Sequence, residues 1–229
     1  MASIAEGGIA MDSQIANNIR NVRAHIPAHV TLVCVSKFQS VEAIREAYNA
    51  GERHFAESRV QELKAKIPQL PADIHWHFIG HLQTNKVRDL LKLRPYLIHS
   101  VDSLHLLEAI NSEAEKQGIT QDILLELHTA KEDTKTGLLP SKIGIILDFC
   151  RTQMLRLHIR GLMTMATNTD DETEIRRCFE EAAKCLNDAI NDQMVILSMG
   201  MSDDYPIAID CGANMVRIGS SIFGERTYN

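Results

Sequence analysis

Lys37 closes the apolar run TLVCVSK, residues Thr31–Lys37. Lysine is among the residues least often buried without a partner. An amine held against apolar surroundings loses part of its preference for charge. A neutral amine attacks an aldehyde and forms a Schiff base. The plainer alternative is a solvated lysine at a strand end. Two Gly/Ser segments stand far along the chain: LSMGMSDD, Leu197–Asp204, and VRIGSSIFG, Val216–Gly224. Gly200 and Gly219 allow close backbone approach, Ser198, Ser202 and Ser220 bring hydroxyls, and a helix opening after Ser202 would aim N–H groups at an anion. Glycine and serine are also ordinary turn residues. Arg217, inside the second segment, needs a partner. That partner is either a carboxylate such as Glu57 or Glu126, or an acceptor nitrogen of a bound ring. A guanidinium keeps its proton and would donate to such a nitrogen.

These residues must be positioned by short β-branched runs that alternate with helical periodicity. The expected strands are Val30–Ser36, Arg53–Glu57, Ile74–Ile79, Leu97–Val101, Ile123–His128, His158–Met165, Val195–Met199 and Val216–Ile218. Between them, SVEAIREAYNAG has a Ser40 cap and a Gly51 stop, and SLHLLEAINSEAEKQG stops at Gly118. Thr169-x-x-Glu172 reads as a capping box for the helix that follows. Strict βα alternation implies parallel pairing with right-handed crossovers. Eight repeats in 229 residues fit an α/β fold of one kind, a single (β/α)8 TIM barrel over residues 1–229, with residues 1–11 expected to be disordered. Little sequence follows strand eight, so the eighth outer helix is expected to be missing or very short. An extra N-terminal helix with Ile15, Ile19, Val22 and Ile26 on one face would cover the gap.

In such barrels chemistry sits at the C-terminal ends of the strands, and phosphate is often held after strands seven and eight. Strand eight neighbours strand one in a closed barrel. An aldehyde at Lys37 and a phosphate at the Gly/Ser loops therefore fit one compact ligand, and pyridoxal 5′-phosphate has both groups.

A net charge of −6 argues against general affinity for nucleic acid. No apolar run approaches the roughly 18 residues of a membrane helix, and the N-terminus lacks the pattern of a secretory signal. The five cysteines are odd in number and contain no C-x-x-C, which suggests neither a disulfide framework nor a zinc ribbon and makes the cytoplasm the expected location. His75 and His77, two apart on one strand face, with His81 following, raise a metal-dependent hydrolase as a rival. No acidic cluster with metal-ligand spacing accompanies them. The methionines Met163, Met165, Met199, Met201 and Met215 near strand ends read as soft core filling, and KAKIPQLP and EDTK as solvated loops.

Six segments in order give the chain a wider resemblance: VSK at Val35–Lys37, WHFIGHLQTNK at Trp76–Lys86, TKTG at Thr134–Gly137, RGLMTMA at Arg160–Ala166, and the two Gly/Ser segments. Together they resemble the pyridoxal-phosphate homeostasis proteins, the YggS/PROSC family, along nearly the whole length. The resemblance implies a barrel like the N-terminal domain of alanine racemase, with pyridoxal 5′-phosphate on Lys37 and Arg217 facing its ring nitrogen. It implies Ser198, Ser202, Gly219 and Ser220 near the phosphate, His77 and Met163 lining the ring pocket, and Met199 among the cofactor-binding residues. AESRVQE, Ala56–Glu62, departs from the family's Gly-Glu-Asn-Tyr-Val-Gln-Glu. Ser58 stands where the family has a cofactor-side asparagine and Arg59 where it has a tyrosine; serine is shorter, so a water would bridge. The implied role is intracellular homeostasis or supply of the cofactor as a monomer, with apo forms of pyridoxal-phosphate enzymes as candidate recipients. No substantial catalysis is expected. Alanine racemase adds a tyrosine base across a dimer and a further β domain, for which no segment after strand eight leaves room. An amino-acid racemase or related enzyme is the alternative.

Overall fold

The computed structural model describes residues 13–131, 136–189 and 194–224. The eight strands are β1 (Thr31–Val35), β2 (His54–Glu57), β3 (His75–Phe78), β4 (Leu97–Val101), β5 (Gln121–Leu127), β6 (Leu157–Thr164), β7 (Ile196–Ser198) and β8 (Met215–Ile218). They pair in chain order into a closed parallel barrel, sealed by β8 against β1 with Val33 opposite Arg217. Every expected strand is present, with ends displaced by at most two residues. The TIM barrel inferred from βα alternation is therefore the fold.

The helices are α1 (Gln14–Arg23), α2 (Val41–Asn49), α3 (Val60–Lys66), α4 (Thr84–Lys92), α5 (Leu104–Lys116), α6 (Ile143–Gln153), α7 (Glu172–Ala189), α8 (Tyr205–Asp210) and α9 (Ser220–Phe223). Ser40 caps α2 by accepting the Ala43 N–H at 3.2 Å, and Gly51 follows that helix at φ +109°, where a side chain would be strained. The capping box at Thr169 does not form. Helix α7 begins at Glu172, and Asp171 is its cap: its carboxylate accepts the Thr173 N–H at 3.0 Å, while Thr169 accepts from Asp171. A carboxylate satisfies the N-terminal N–H groups and also opposes the helix dipole, so Asp171 outcompetes the hydroxyl two residues earlier.

Helix α9 is a single turn, and α1 packs beside it and α2. Ile19 and Val22 of α1 and Ile26 just beyond are buried, and Asn18 donates to the Ile222 carbonyl at 2.9 Å. The N-terminal helix thus does the covering expected of it. The expectation of disorder over residues 1–11 lies outside the described residues.

Apolar side chains fill the layer between barrel and helices, with Phe55, Phe78 and Phe179 among the fully buried. Each such side chain contributes about 1.5–3 kcal/mol when removed from water. Inside the barrel, Val33, Ala56, Leu97, Leu124, Met163 and Met215 form a second, smaller apolar cluster. Branched aliphatics usually dominate that space. Here much of it holds the polar side chains of His77, His99, Ser198 and Arg217. No described helix is long and apolar enough to cross a membrane.

Candidate functional site

A cavity of about 240 Å³ is lined by residues at the C-terminal ends of the strands. Val35 and Lys37 come from β1 and the turn after it, Met163 and Met165 from the end of β6, Ser202 from the loop after β7, and Arg217, Gly219 and Ser220 from β8 and its end. Larger hollows of about 340 and 460 Å³ lie between α6 and α7 and beside the β6–α7 loop. Of these three, the 240 Å³ cavity alone brings an amine, a guanidinium and serine hydroxyls together among the described residues.

Lys37 is held by its neighbours. Phe38, directly after it, adopts φ +67°, a left-handed turn that a bulky residue rarely takes. Both flanking peptides are anchored from α3. The Lys66 ammonium donates to the Ser36 carbonyl at 3.0 Å, and the Glu62 carboxylate accepts the Phe38 N–H at 2.9 Å. Lys66 also pairs with Glu57 at 2.8 Å and Glu62 at 3.1 Å. The Ser36 hydroxyl donates to the same Glu57 oxygen at 2.7 Å, while Glu57 Oε2 is buried with no partner. Burial outweighs the pull of Lys66 and pushes the Glu57 carboxyl up to about 7. Lys66 lies in the segment read from sequence as a solvated loop; the structure buries it as the centre of this clamp.

Arg217 is 4 % exposed and makes no carboxylate contact. Its Nη1 donates to the Ser198 carbonyl at 2.8 Å and the Ser198 hydroxyl at 2.7 Å, and its Nη2 to the Thr164 carbonyl at 3.0 Å. The salt bridge to Glu57 or Glu126 considered from sequence is absent: Glu57 is taken by Lys66, and Glu126 acts on Arg217 only through space, as does Asp204. Burial lowers the guanidinium to about 10. Glu126, which accepts from Thr136 at 3.2 Å, is itself pushed up to about 7 by burial.

The two Gly/Ser loops meet, the Ser221 N–H donating to the Ser202 hydroxyl at 3.4 Å. A Cβ on Gly219 would stand 3.3 Å from Val35, so glycine keeps this wall thin. Gly200 has φ +94°, and a Cβ there would come within 2.7 Å of the Ala208 methyl. The helix expected after Ser202 starts at Tyr205, behind Asp204, whose carboxylate accepts the Met201 N–H at 2.6 Å. That carboxylate makes the start of α8 a poor anion site. The turn of α9, which opens at Ser220, borders the cavity instead.

Of the residues proposed from sequence, the cavity brings together Lys37, Met163, Ser202, Arg217, Gly219 and Ser220. The others do not line it. His77 and Ser198 are fully buried in the layer beneath, and Met199 packs in the outer core. Ser58 sits after β2 with its carbonyl over Gly80, where a Cβ would be 2.0 Å away. His75 and His77 do not converge on a common point with His81. His54 bonds to His77 at 2.9 Å and lies 3.4 Å from His75, and among the described residues no three His, Cys, Asp or Glu side chains are arranged so that they could hold a metal ion. His99 and the Glu57–Lys66–Glu62 clamp escaped the reading from sequence, because nothing local in QELKAK or IHSV marks a side chain as buried.

Comparison with known proteins bears on the family and the fold. A family model described as "Alanine racemase, N-terminal domain" matches residues 12–227. A Helicobacter pylori (strain J99) protein named pyridoxal phosphate homeostasis protein is 42 % identical over 204 residues, 89 % of this chain and 90 % of that one. The solved structure of PipY from Synechococcus elongatus, determined with PLP bound, is 37 % identical with a TM-score of 0.81, covering 92 % of this chain and all (100 %) of the other. An alanine racemase of Clostridium difficile shares the fold at 17 % identity and a TM-score of 0.75, over 94 % of this chain and 56 % of that one.

Proposed function

The chain belongs to the family of the pyridoxal phosphate homeostasis proteins, and from that membership we propose that it binds pyridoxal 5′-phosphate as a Schiff base on Lys37 and serves in keeping or supplying the cofactor. The observation that carries the proposal is the convergence of Lys37, Arg217, Ser202 and Ser220 on one cavity of about 240 Å³. The donor set suits the ligand's chemistry. The Lys37 amine meets the aldehyde carbon. The Ser202 and Ser220 hydroxyls and the Ser220 backbone N–H would hold the phosphate. Val35, Met163 and Met165 pack against the ring. Three of the five N–H bonds of Arg217 are used by Ser198 and Thr164, which leaves donors for the ring nitrogen.

The same arginine argues against substantial catalysis. When bound, pyridoxal phosphate supplies an electron sink, which works best with a protonated ring nitrogen held by an acid. Arg217 would donate to that nitrogen and keep it unprotonated. The arginine does not decide the matter alone, since the racemase resemblance pairs it with a tyrosine base; no tyrosine is among the described residues that line this cavity, which supports a carrier or regulator rather than a racemase, acting in the cytoplasm as a monomer, with apo forms of pyridoxal-phosphate enzymes as recipients. Borohydride reduction of the loaded protein followed by peptide mass spectrometry tests the binding mode. The adduct is expected on Lys37; an adduct on another lysine, or none, rejects the assignment.

A further inference from the structure

A column of hydrogen-bonded side chains crosses the barrel interior beneath the cavity. From the Arg217 guanidinium it runs to the Ser198 hydroxyl (2.7 Å), on to His99 Nδ1 (3.1 Å), from His99 Nε2 to His77 Nδ1 (2.8 Å), and from His77 Nε2 to His54 Nδ1 (2.9 Å). His54 Nε2 then lies 3.4 Å from Nδ1 of the exposed His75, whose ring stacks on Tyr96. His77, His99 and Ser198 are fully buried.

The chemistry of the Arg217 end sets the direction of the bonds from Ser198 to His54. Arg217 only donates. The Ser198 oxygen therefore accepts from it, and the serine proton must go to another acceptor. His99 Nδ1 is the acceptor in reach. His99 then carries its proton on Nε2 and donates to His77, which must likewise be an Nε2–H tautomer and donate to His54. The reverse order would have His99 donate to Ser198 and would strand a buried hydroxyl proton without a partner, at a cost of about 1–3 kcal/mol. Burial keeps both inner imidazoles well below the ordinary histidine range, so they are neutral and each has one donor and one acceptor.

We propose that His99, His77 and His54 are positioning residues for Arg217. Their bonds run in one direction from the cavity floor to the far mouth of the barrel, and they hold the guanidinium so that its unused N–H bonds face the cavity. Three of the five N–H bonds are fixed by Ser198 and Thr164; the two left are on Nη2 and Nε. The inference rests on the cofactor reading only for what those two bonds meet.

Nitrogen-15 NMR of the full chain without cofactor reads the tautomers directly. His77 and His99 are expected as neutral Nε2–H tautomers, and Arg217→Met is expected to release the order into a mixture. Nδ1–H tautomers or an imidazolium at these two positions in the unsubstituted protein would overturn the proposal, whatever the cofactor does. A second measurement titrates the protein with pyridoxal 5′-phosphate. His99→Leu should weaken binding about tenfold, as loss of support for one hydrogen bond to a charged group implies, and should shift the absorbance band of the bound cofactor. His99→Asn, whose Oδ1 can replace Nδ1 as the acceptor for Ser198, should recover most of both. Unchanged affinity and spectrum in His99→Leu would overturn the positioning role while leaving Lys37 binding intact. If the unsubstituted protein gives no borohydride-fixed adduct on Lys37, the cofactor reading fails instead, and the tautomers still decide the column. Should His99→Leu not fold, the tautomer measurement alone is decisive.

Discussion

Replacing Lys66 by methionine removes an ammonium group and keeps an unbranched side chain. In the native protein that group holds the Ser36 carbonyl, Glu57 and Glu62 at 2.8–3.1 Å. Breaking a buried ion pair by deleting one partner costs about 3–5 kcal/mol when the other charge cannot escape. Glu57 can escape by taking a proton. Its carboxyl lies at about 7 in the fold against an ordinary 4.5. A pKa raised on folding gives stability that is full below the unfolded value and is lost as pH rises through the folded one; over those 2.5 units the loss is about 3.4 kcal/mol. In the unsubstituted protein the loss levels off above pH 7, where Glu57 is ionised beside Lys66. Without Lys66 the carboxyl keeps its proton to higher pH, and the loss continues at about 1.4 kcal/mol per pH unit. At pH 6 Glu57 is mostly neutral in both proteins, so Lys66→Met should cost about 1 kcal/mol, the worth of the lost bonds to Ser36 and Glu62. At pH 8.5 the cost should reach about 3 kcal/mol. Urea denaturation at the two pH values measures both, and Glu57→Gln combined with Lys66→Met should flatten the pH dependence. An equal cost at both pH values, or a larger one at pH 6, would refute the reasoning.

Lys37→Ala should abolish the borohydride-fixed adduct yet retain weak binding of pyridoxal 5′-phosphate through its phosphate, measured by equilibrium dialysis. Ser220→Ala should weaken binding by about tenfold, since a hydrogen bond to a charged group contributes roughly 1.5–3 kcal/mol; pyridoxal without phosphate should bind far more weakly, and equal affinity for the two would count against the β7–β8 loops. Acidification below about pH 6.5 should destabilise the fold through His77 and His99, held neutral by burial: groups with lowered folded pKa lose their contribution as pH falls. His77→Phe should shrink that acid loss in thermal melts at pH 5 and 7. Incubation of the loaded protein with L-alanine in heavy water should give no α-proton exchange at enzymatic rates, on the order of 1 s⁻¹ or faster; exchange at that rate that vanishes in Lys37→Ala would make the protein an enzyme.

The fold was legible because its signals are local and repeated. Ser40 and Ser103 cap helices, Gly51 and Gly118 end them, and β-branched runs alternate with both. That Lys37, Arg217, Gly219 and Ser220 line one cavity was legible for the same reason: each sits at or near a strand end, and barrel closure makes strand eight the neighbour of strand one. What lay beyond the sequence was depth. The resemblance implied His77 in the ring pocket and Ser198 near the phosphate; the structure buries both, with Arg217, inside the barrel. Whether an inward residue touches the cavity or lies beneath it depends on the shear of the closed sheet, which no single strand reveals. His77 and Ser198 therefore fall one layer below the cavity they were expected to line. Lys66 shows the limit from the other side. Its segment is as charged as any solvated loop, and only the packing of α3 against the end of β2 turns its ammonium inward to Glu57 and the Ser36 carbonyl. The clamp and the column share a logic. The clamp fixes the backbone on both sides of Lys37, and the column fixes the guanidinium beyond it. Each uses buried polar groups whose bonds to one another are nearly complete. Such networks are costly when broken and rigid when whole. The unpartnered Glu57 Oε2 is the exception among the described residues, and it makes the clamp, rather than the column, the part of the site most sensitive to rising pH.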